Sequence, residues 1–345
     1  MKERRMNKIS MNELFSGIGA QRKALLNIGY DVDVVGIAEI DKYAIQSYEA
    51  IFGKTRNYGD ISKVEKLDYA DLWTYSFPCQ DISVAGKQRG INENTRSGLL
   101  YQVQRLLEVA KEEGTLPKYL LLENVKALVG KKFKAQFDEW LQYLDGLGYK
   151  NYWQVLNAKD YGIPQNRERV FVVSIRQDVV CSYTFPKKED LCIGIQDILE
   201  DEVEDKYYLN EKQVQKILHS TFAQEKTRIQ TNNVCQTLLA RDFKDPKVIV
   251  TKGTIIDDTQ GFDGVRLYSN VSPTLGVGRH DLKTIADTVK NVRKLTPLEY
   301  WRLMGFDDED FNKAKASGVS NTQLYKQAGN SIVVDVLERI FNNLH

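Results

Sequence analysis

The stretch that decides the fold is Met11-Asn12-Glu13-Leu14-Phe15-Ser16-Gly17-Ile18-Gly19-Ala20. It predicts a short strand that ends at Phe15, a turn built on Gly17 and Gly19, and an amphipathic helix after the turn. A strand, a glycine turn and a helix in this order are typical of the nucleotide-binding start of a βαβ unit. The third glycine of the dinucleotide pattern is missing, because Arg22 stands in its place. We therefore predict an adenosine ligand without a pyrophosphate.

Two acidic residues follow the next predicted elements. Glu39 ends the apolar run Val34–Ala38 and lies twenty residues after Gly19. At this spacing a carboxylate accepts hydrogen bonds from ribose hydroxyls, although Glu39 is also placed to cap the helix that follows. Asp60 comes after a further turn, where its carboxylate either accepts the adenine amino group or caps the next helical segment.

A thiol follows the third apolar run. Residues Ala70–Tyr75 predict a buried strand that leads into Ser76-Phe77-Pro78-Cys79-Gln80. Cys79 is thus expected just past the carboxyl end of a strand, where open α/β sheets bind ligands. The segment Asp81–Gly98 is rich in glycine and charge and is predicted to move as a lid. Cys79 is a candidate nucleophile; the alternative is a small buried apolar side chain, as most free cysteines are.

Charged side chains also stand at the ends of later strands. A fully apolar strand ends at Glu123, where partial desolvation would raise its pKa and suit it to hold and donate a proton near neutral pH. Alternatively, Glu123 pairs with a basic residue at the sheet rim. Arg167 and Arg169 alternate before the apolar run Val170–Val173, so both are predicted to point to one side. They can lower a thiol pKa and hold a pyrimidine carbonyl, or form a surface salt bridge with Glu168.

Composition limits the classes of protein. The chain has 345 residues, 42% hydrophobic and 28% charged, which predicts a soluble globular protein of one or two domains. No apolar run is long enough for a membrane span or a secretory signal. Its four cysteines show no paired spacing and its three histidines no ligand spacing, which disfavours disulfides and metal sites and favours a reducing cytosol. Because the net charge is only +1, nucleic-acid binding would require positive charge gathered on one face.

The pattern changes in the second half of the chain. From about residue 186 to 291, short β-like pieces, polar turns and many basic residues replace the long strands and helices. The run Val234–Leu238 followed by Arg241 resembles the run Val271–Leu275 followed by Arg279. This repetition predicts two hairpins that present polar loops.

The end of the chain is predicted to be helical again. Thr296 is expected to cap a helix from Pro297 to Met304. A final amphipathic helix is expected to close back on the first domain and bring Asn330 and Ser331 to the glycine turn.

Eight pieces of the chain, taken in order, resemble the cytosine-C5 DNA methyltransferase family. They are Phe15-Ser-Gly-Ile-Gly19, Glu39, Asp60, Pro78-Cys79-Gln80, Glu123-Asn124-Val125, Gln165-x-Arg167-x-Arg169, Arg293-x-Leu295-Thr296-Pro297 and Gly329-Asn330-Ser331. The resemblance implies an α/β fold, a Rossmann-like S-adenosylmethionine-dependent methyltransferase sheet with a second, smaller β-rich target-recognition domain. It implies a catalytic domain of residues 1–186 plus 329–345, a target-recognition domain of 187–291 and a hinge segment of 292–328.

The sequence departs from the family pattern at two positions. Glu13 stands where the family usually has aspartate, and Ile40 stands where many members have a tryptophan against the adenine. Stacking on the adenine would then be replaced by aliphatic contact. The Cys-Phe-Thr tripeptide of the tRNA-modifying branch is missing, which favours DNA as the substrate.

The resemblance implies a mechanism. Cytosine C5 is too weak a nucleophile to take a methyl group unaided, so the Cys79 thiolate would add to C6 and activate it. Protonated Glu123 would hold N3, and Arg169 with Arg167 would hold the carbonyl edge of the base. The target base would leave the duplex to reach the pocket, and residues 81–98 would close over it. Cys79, Glu123, Arg167 and Arg169 are the implied catalytic residues.

The same resemblance implies ligands and contacts. Cofactor contacts are expected from Phe15, Gly17, Gly19, Glu39, Ile40, Asp60, Ile61, Pro78, Asn330 and Ser331. DNA contacts are expected from Gln80, Ser83, Lys87, Gln165, Thr237, Arg241, Thr274 and Arg279. The expected cofactor is S-adenosyl-L-methionine, converted to S-adenosyl-L-homocysteine, with no metal. The expected protein is a cytoplasmic monomer acting on double-stranded DNA, either beside a cognate restriction endonuclease as a functional partner or as an orphan or phage methylase.

Other functions use parts of the same pattern. A nicotinamide or flavin oxidoreductase has a similar start, but the broken glycine pattern and the strand-end cysteine without a partner disfavour it. A catalytically silent DNA-binding relative is disfavoured by the presence of Cys79, Glu123 and Arg169. Within the family, RNA remains the alternative substrate.

Overall fold

The computed structural model describes residues 7–78, 96–210, 212–214, 229–230, 234–244, 246–250, 254–257, 266–269 and 292–344. The strands up to residue 176 are β1 (Lys8–Leu14), β2 (Asp31–Ala38), β3 (Leu72–Tyr75), β4 (Tyr119–Val125), β5 (Tyr149–Asn157), β6 (Gln165–Asn166) and β7 (Glu168–Arg176). The helices are α1 (Ala20–Asn27), α2 (Lys42–Phe52), α3 (Leu100–Glu112), α4 (Lys134–Gly146), α5 (Pro297–Arg302), α6 (Asp308–Ala316), α7 (Asn321–Asn330) and α8 (Val334–Phe341). Within these ranges no helix is both long and apolar enough to cross a membrane.

Six of the strands form one mixed sheet in the order β2-β1-β3-β4-β7-β5. Strands β1 to β4 run parallel, and β7 runs antiparallel to both of its neighbours. The order changes direction between β1 and β3, and open α/β sheets bind ligands in the crevice outside the carboxyl ends of strands at such a point. The predicted Rossmann-like α/β sheet is confirmed.

The register of the sheet explains why the predicted site residues converge. Leu14 of β1 pairs with both Ala38 of β2 and Tyr75 of β3, and Tyr75 pairs with Leu122 of β4. These four residues form one row across the sheet. The residues that follow them are Phe15, Glu39, Ser76 and Glu123, which therefore lie at the same edge of the sheet, where β4 continues beside β7 to Val125.

Alternation along the strands divides the core between the two faces of the sheet. In β4, Leu120 and Leu122 pack with α3 and α4, whereas Leu121 packs in the cluster that contains α1 and the C-terminal helices. Successive side chains of a strand point to opposite faces, so a strand covered on both sides is apolar throughout. This double coverage accounts for the uninterrupted apolar run of β4.

The helix boundaries follow local capping chemistry. The Asp41 carboxylate accepts the Tyr43 N–H at the start of α2, and the Thr296 hydroxyl accepts the Glu299 N–H at the start of α5. The predicted Thr296 cap is confirmed. A 3₁₀ turn, Arg96–Leu99, leads directly into α3.

The C-terminal helices pack against the first part of the chain. The Gln327 amide of α7 donates to the Tyr43 carbonyl oxygen of α2 (2.8 Å) and accepts from the Ser47 hydroxyl (3.0 Å). Lys326 pairs with Asp41 at 2.8 Å. These contacts hold the end of α7 beside the carboxyl ends of β1 and β2.

Short strands occupy the region after residue 200. They are β8 (Ile229–Gln230), β9 (Cys235–Gln236), β10 (Val248–Val250), β11 (Thr254–Asp257), β12 (Arg266–Ser269) and β13 (Val292–Lys294). β9 pairs in parallel with β6, and a 3₁₀ turn, Ala240–Phe243, follows it. The expected hairpin at residues 234–238 is therefore wrong, because this segment pairs with β6 instead of folding on itself. Its expected counterpart at 271–275 lies outside the described residues.

Candidate active site

A cleft of about 330 Å³ opens where β1, β2, β3 and β4 end. Its lining includes Phe15, Gly17, Glu39, Ile40, Asp60, Ile61, Pro78, Glu123, Arg167, Arg169, Asn330 and Ser331. Most of the residues predicted for the cofactor and the base thus share one cleft. Among the predicted cofactor residues that the structure describes, Gly19 does not line it, because Gly19 packs against Tyr48 and Phe52.

Left-handed backbone shapes the turn between β1 and α1. Phe15 (φ 60°), Gly17 (φ 55°) and Gly19 (φ 81°) all adopt positive φ. A Cβ on Gly17 would meet no atom within 4 Å, whereas a Cβ on Gly19 would lie 2.5 Å from a ring carbon of Phe52 and 2.7 Å from one of Tyr48. Gly17 is needed for its conformation, and Gly19 for both its conformation and its lack of a side chain.

Glu39 holds the two loops of the cleft together. Its Oε2 accepts the Gly17 N–H at 2.9 Å, and its Oε1 accepts the N–H groups of Ile40 and Asp41, each at 2.8 Å. Asp41 is the residue that caps α2, so the alternative of Glu39 as the helix cap is wrong. An ionised carboxylate has about four acceptor sites, so Glu39 retains capacity for a ligand hydroxyl.

Two further residues of the cleft, Ile40 and Asp60, offer a ligand an apolar and an acidic contact. Ile40 is 74% exposed and lines the cleft, which gives the cleft an exposed aliphatic surface. Asp60 caps the 3₁₀ turn Ile61–Lys63 by accepting from the N–H and the hydroxyl of Ser62. Both alternatives for Asp60 are thus compatible, since it caps this turn and lines the cleft. These hydrogen bonds lower the pKa of Asp60, so its carboxylate stays ionised.

A buried acid and an arginine face each other at the other end of the cleft. Arg169 Nε lies 3.1 Å from Glu123 Oε1, and the Glu123 side chain is buried. Desolvation raises the pKa of Glu123 and outweighs the opposing effects of Arg169, Arg167 and the Ser76 hydroxyl. The expected alternative for Glu123, pairing with a basic residue, is therefore present together with the raised pKa. Such a carboxyl group can hold and donate a proton.

The loop that leads to Cys79 is fixed from the neighbouring strand. The Asn124 side-chain amide donates to the carbonyl oxygen of Phe77 at 3.1 Å, and Pro78 lines the cleft. Cys79 itself, with Gln80, Ser83 and Lys87, lies outside the described residues, as does most of the expected lid at 81–98. The chain therefore reaches Pro78 at the rim of the cleft that Glu123 lines.

Arg167 has contacts different from those of Arg169. Its guanidinium is buried and donates to the backbone carbonyl oxygens of Leu238 (2.9 Å), Ser331 (2.7 Å) and Gly329 (3.2 Å). The alternative of a salt bridge between these arginines and the Glu168 carboxylate is wrong. That carboxylate pairs with Lys126, and Arg169 Nη1 donates to the Glu168 backbone oxygen.

The family model of C-5 cytosine-specific DNA methylases matches residues 9–345. The chain belongs to the C-5 cytosine-specific DNA methylase family. It is 37% identical to the type II methyltransferase M2.ScrFI of Lactococcus lactis subsp. cremoris, over 96% of this chain and 98% of that protein. It is 33% identical to the orphan methyltransferase M.SPBetaI of Bacillus phage SPbeta, over 98% of each. The chain is accordingly a methyltransferase of this family, with bacterial and phage relatives.

Solved structures share the fold of this DNA methylase. The S. pombe Dnmt2 methyltransferase superposes with a TM-score of 0.69 at 20% identity, covering 97% of each chain. The Entamoeba histolytica methyltransferase EhMeth superposes with a TM-score of 0.68 at 16% identity, covering 98% of each. The mixed sheet and its surrounding helices are therefore an arrangement found in other methyltransferases.

The residues expected to contact DNA have different environments in this methylase. Gln165 is fully buried, and its amide donates to the Leu303 carbonyl oxygen and accepts the Leu238 N–H. Gln165 is therefore corrected from a DNA contact to a structural residue. The Thr237 hydroxyl donates to the Asn166 carbonyl oxygen at 2.6 Å, and Arg241 is exposed. Thr274 and Arg279 lie outside the described residues.

Some residues of the site carried no separate prediction. The Ser76 hydroxyl bonds to Glu123, and Gln327 connects α7 to α2 beside the cleft. Ser76 was detectable in principle because it follows a strand in the same register row as Glu123. Gln327 offered no such local signal, since its partners are far away in the sequence. In the described part of the chain, no cluster of histidine, cysteine, aspartate and glutamate side chains is arranged to hold a metal ion.

Proposed function

We propose that this chain is a DNA (cytosine-5-)-methyltransferase that uses S-adenosyl-L-methionine and methylates a cytosine flipped out of a specific double-stranded sequence. One observation carries the proposal. A single cleft at the switch point of the sheet combines a nucleoside-type turn at one end with the buried Glu123–Arg169 pair at the other. The loop that leads to Cys79 enters the same cleft at Pro78.

The end of the cleft that is formed by the turn between β1 and α1 fits the adenosine part of the cofactor. Glu39 has acceptor capacity for ribose hydroxyls, Asp60 stays ionised and can accept an amino group, and Ile40 exposes an aliphatic surface against which a base can pack. No pyrophosphate is needed, which agrees with the missing third glycine. When bound there, S-adenosyl-L-methionine supplies an electrophilic methyl group on its sulfonium sulfur.

The other end of the cleft fits an extrahelical cytosine. Glu123, whose pKa is raised by desolvation, would donate in its protonated form to N3, and the Arg169 guanidinium would donate to the O2 carbonyl. Both groups recognise edges that are paired within a duplex, so the base must leave the stack. Arg169 also bonds to Glu123, which fixes the orientation of both side chains.

Covalent catalysis would then proceed through Cys79. The thiolate forms a bond to C6, the electron pair of the C5–C6 double bond moves to C5, and the proton on Glu123 stabilises the charge at N3. C5 would then form a bond to the methyl carbon of the donor as the carbon–sulfur bond breaks, which leaves S-adenosyl-L-homocysteine. A base removes the C5 proton, the electron pair re-forms the double bond, and the bond between Cys79 and C6 breaks.

The recognition function would belong to a separate part of the chain. We assign target recognition to residues 187–291, the hinge to 292–328, and catalysis to 1–186 with 329–345. Arg241, which is exposed, and Thr237, which is half-buried, remain candidates for DNA contact, together with Gln80, Ser83, Lys87, Thr274 and Arg279. The relatives suggest either a cognate restriction endonuclease as a functional partner or a solitary role.

The test combines sequencing with covalent trapping. Bisulfite sequencing of DNA from cells that express the protein should reveal methylated cytosines in one sequence context. A duplex with that context and 5-fluorocytosine at the target should then form a stable adduct with the protein in the presence of S-adenosyl-L-methionine, because a C5 fluorine cannot be removed as a proton is.

Cysteine variants make the trapping experiment specific. Cys79→Ser should form no adduct, whereas Cys192→Ser should form as much as the unchanged protein, because Cys192 is an exposed free thiol. Methylation without an adduct would contradict the covalent mechanism. No methylated cytosine in any context would contradict the proposed function itself.

A further inference from the structure

Arg167 stands where three distant segments of the chain meet. It follows β6, and its guanidinium bonds to the Leu238 carbonyl oxygen on one side and to those of Gly329 and Ser331 on the other. Leu238 belongs to the proposed target-recognition domain, and Ser331 lines the cofactor cleft. One buried side chain therefore joins the backbones of two segments that are about ninety residues apart.

The recognition side of this junction is tied down by further hydrogen bonds. β9 pairs with β6, and the Cys235 N–H donates to the Pro164 carbonyl oxygen at 2.7 Å. The Thr237 hydroxyl donates to the Asn166 carbonyl oxygen, and the Leu238 N–H donates to Gln165 at 3.2 Å. Because most of these bonds involve backbone atoms, the segment 235–238 cannot shift without moving the strand that leads to Arg169.

The cofactor side of the junction has no free space. A Cβ on Gly329 would lie 2.3 Å from the carbonyl carbon of Leu239 and 2.4 Å from the Ala240 nitrogen. Backbone packs directly on backbone at this point, and rigid backbone does not yield as a flexible side chain does. Asn330 and Ser331, which follow at once, line the cleft.

We propose that Arg167 is a positioning residue that couples cofactor binding to DNA binding, in place of the catalytic role expected from the sequence. A ligand that shifts residues 329–331 also shifts segment 235–238 through Arg167 and the closely packed backbone. The second ligand then meets a segment that is already in position, which strengthens its binding. This inference rests on the proposed function, since it requires both ligands.

Lysine should be unable to replace Arg167. A guanidinium presents its donors in a fixed planar fork, whereas an ammonium is a compact charge that does not span three carbonyl groups in the same geometry. Arg167→Lys keeps the charge and removes the fork. It therefore tests the coupling without adding an uncompensated change of charge.

The experiment measures the ratio of two dissociation constants for DNA, one without and one with the cofactor product. The dissociation constant of a fluorescent duplex carrying the methylated sequence is determined with and without saturating S-adenosyl-L-homocysteine. The full-length protein should bind the duplex about 5-fold to 150-fold more tightly with the cofactor product, the usual range of such coupling. In Arg167→Lys this ratio should fall close to one. The reciprocal titration of S-adenosyl-L-homocysteine, with and without DNA, should give the same ratios because binding coupling is reciprocal.

Two further variants separate coupling from loss of structure. Gly329→Ala, which forces the same backbones apart, should also reduce the ratio. Arg176→Lys is the matched control, because Arg176 lies at the other end of β7 and bonds to the Leu116 carbonyl oxygen and Asp178 far from the cleft. Its ratio should equal that of the unchanged protein.

Several outcomes would overturn the inference. A ratio of one in the unchanged protein would show that the sites are not coupled. An unchanged ratio in Arg167→Lys, even with a lower melting temperature, would show that Arg167 is only structural. If the unchanged protein binds neither S-adenosyl-L-homocysteine nor DNA, the proposed function fails, and that result is distinct from a ratio of one between two measurable affinities.

Discussion

At the residue scale, the pKa values of two carboxyl groups in one cleft are shifted in opposite directions by their surroundings. Glu123 is buried, and desolvation raises its pKa. Asp60 is accessible to solvent, and its bonds to Ser62 lower its pKa. Environment can thus give the same functional group two roles. One carboxyl group is suited to donate a proton to a base, and the other to accept a hydrogen bond from a ligand.

Replacing the buried acid should separate chemistry from binding. In Glu123→Gln the amide keeps the size of the side chain but has no proton to transfer, so kcat should fall by about 10²-fold to 10⁴-fold. The affinity for DNA and for S-adenosyl-L-homocysteine should change much less. Activity of the unchanged enzyme should decline as the pH rises through the raised pKa of Glu123, because the protonated form is the active one. The variant should lack this decline.

Glu168→Gln is the matched control for this substitution. Glu168 is exposed, precedes Arg169 directly, and pairs with Lys126 rather than with a cleft residue. Its kcat should stay close to that of the unchanged enzyme. Equal kcat values for Glu123→Gln and Glu168→Gln would remove Glu123 from the chemical step.

At the element scale, the turn between β1 and α1 depends on two glycines for different reasons. Gly17→Ala should lower the free energy of unfolding by about 1 to 2 kcal/mol, the cost of a left-handed alanine. Gly19→Ala should lower it by roughly a further 1 to 3 kcal/mol, because its methyl group must displace the rings of Tyr48 and Phe52. Urea denaturation of both variants measures the difference. Equal losses would mean that the rings move aside freely.

Behind the same turn, Glu13 joins three elements through one carboxyl group. It lies one residue before the end of β1, accepts the Arg22 N–H of α1 at 3.1 Å, and accepts the Tyr48 hydroxyl of α2 at 2.5 Å. Complete burial raises the pKa of Glu13 to about 7, despite the opposing effects of Tyr48 and Arg22. In the unfolded chain a glutamate titrates near its ordinary pKa of about 4.3.

The sign of the resulting pH dependence follows from proton binding. Between about pH 4 and pH 7 the folded protein holds the Glu13 proton more tightly than the unfolded chain does, so stability falls as the pH rises. The loss should reach about 3 to 4 kcal/mol above pH 7. Glu13→Gln should lack this component when unfolding is followed at pH 5 and pH 8. Glu112→Gln, an exposed change at the end of α3, should retain it; an equal pH dependence in Glu13→Gln would contradict the assignment.

At the scale of the whole molecule, the features that could be predicted from the sequence are those that local sequence patterns encode. Apolar runs and the glycine turn placed Phe15, Glu39 and Glu123 at strand ends, and the register of the sheet aligned them. The pairing of β6 with β9 and the carbonyl partners of Arg167 could not be predicted in this way. These contacts join residues that are tens to hundreds of positions apart, and their geometry is set by packing rather than by propensity. A charged side chain next to a strand is therefore easy to find, but whether it faces a ligand or the backbone is not.

A second long-range junction ties β13 to the C-terminal helices. Arg293 of β13 and Glu299 of α5 are both buried and form two hydrogen bonds, of 2.9 and 2.6 Å. Glu299 also accepts the N–H groups of Thr296 (2.7 Å) and Glu200 (2.9 Å). One carboxylate thus fixes three segments of the chain at the start of α5.

Breaking one half of this pair should cost far more than removing both charges. Glu299→Gln leaves the Arg293 charge buried without a counter-charge and should lower the free energy of unfolding by about 3 to 5 kcal/mol. The double variant Arg293→Met with Glu299→Gln should lose clearly less than the sum of the single variants, because no charge stays buried while the glutamine oxygen still accepts from Thr296 and Glu200. Asp308→Asn, which breaks the similarly bidentate but only partly buried pair with Arg302, should cost at most about 1 kcal/mol. Additive losses in the double variant would show that these two charges do not stabilise each other.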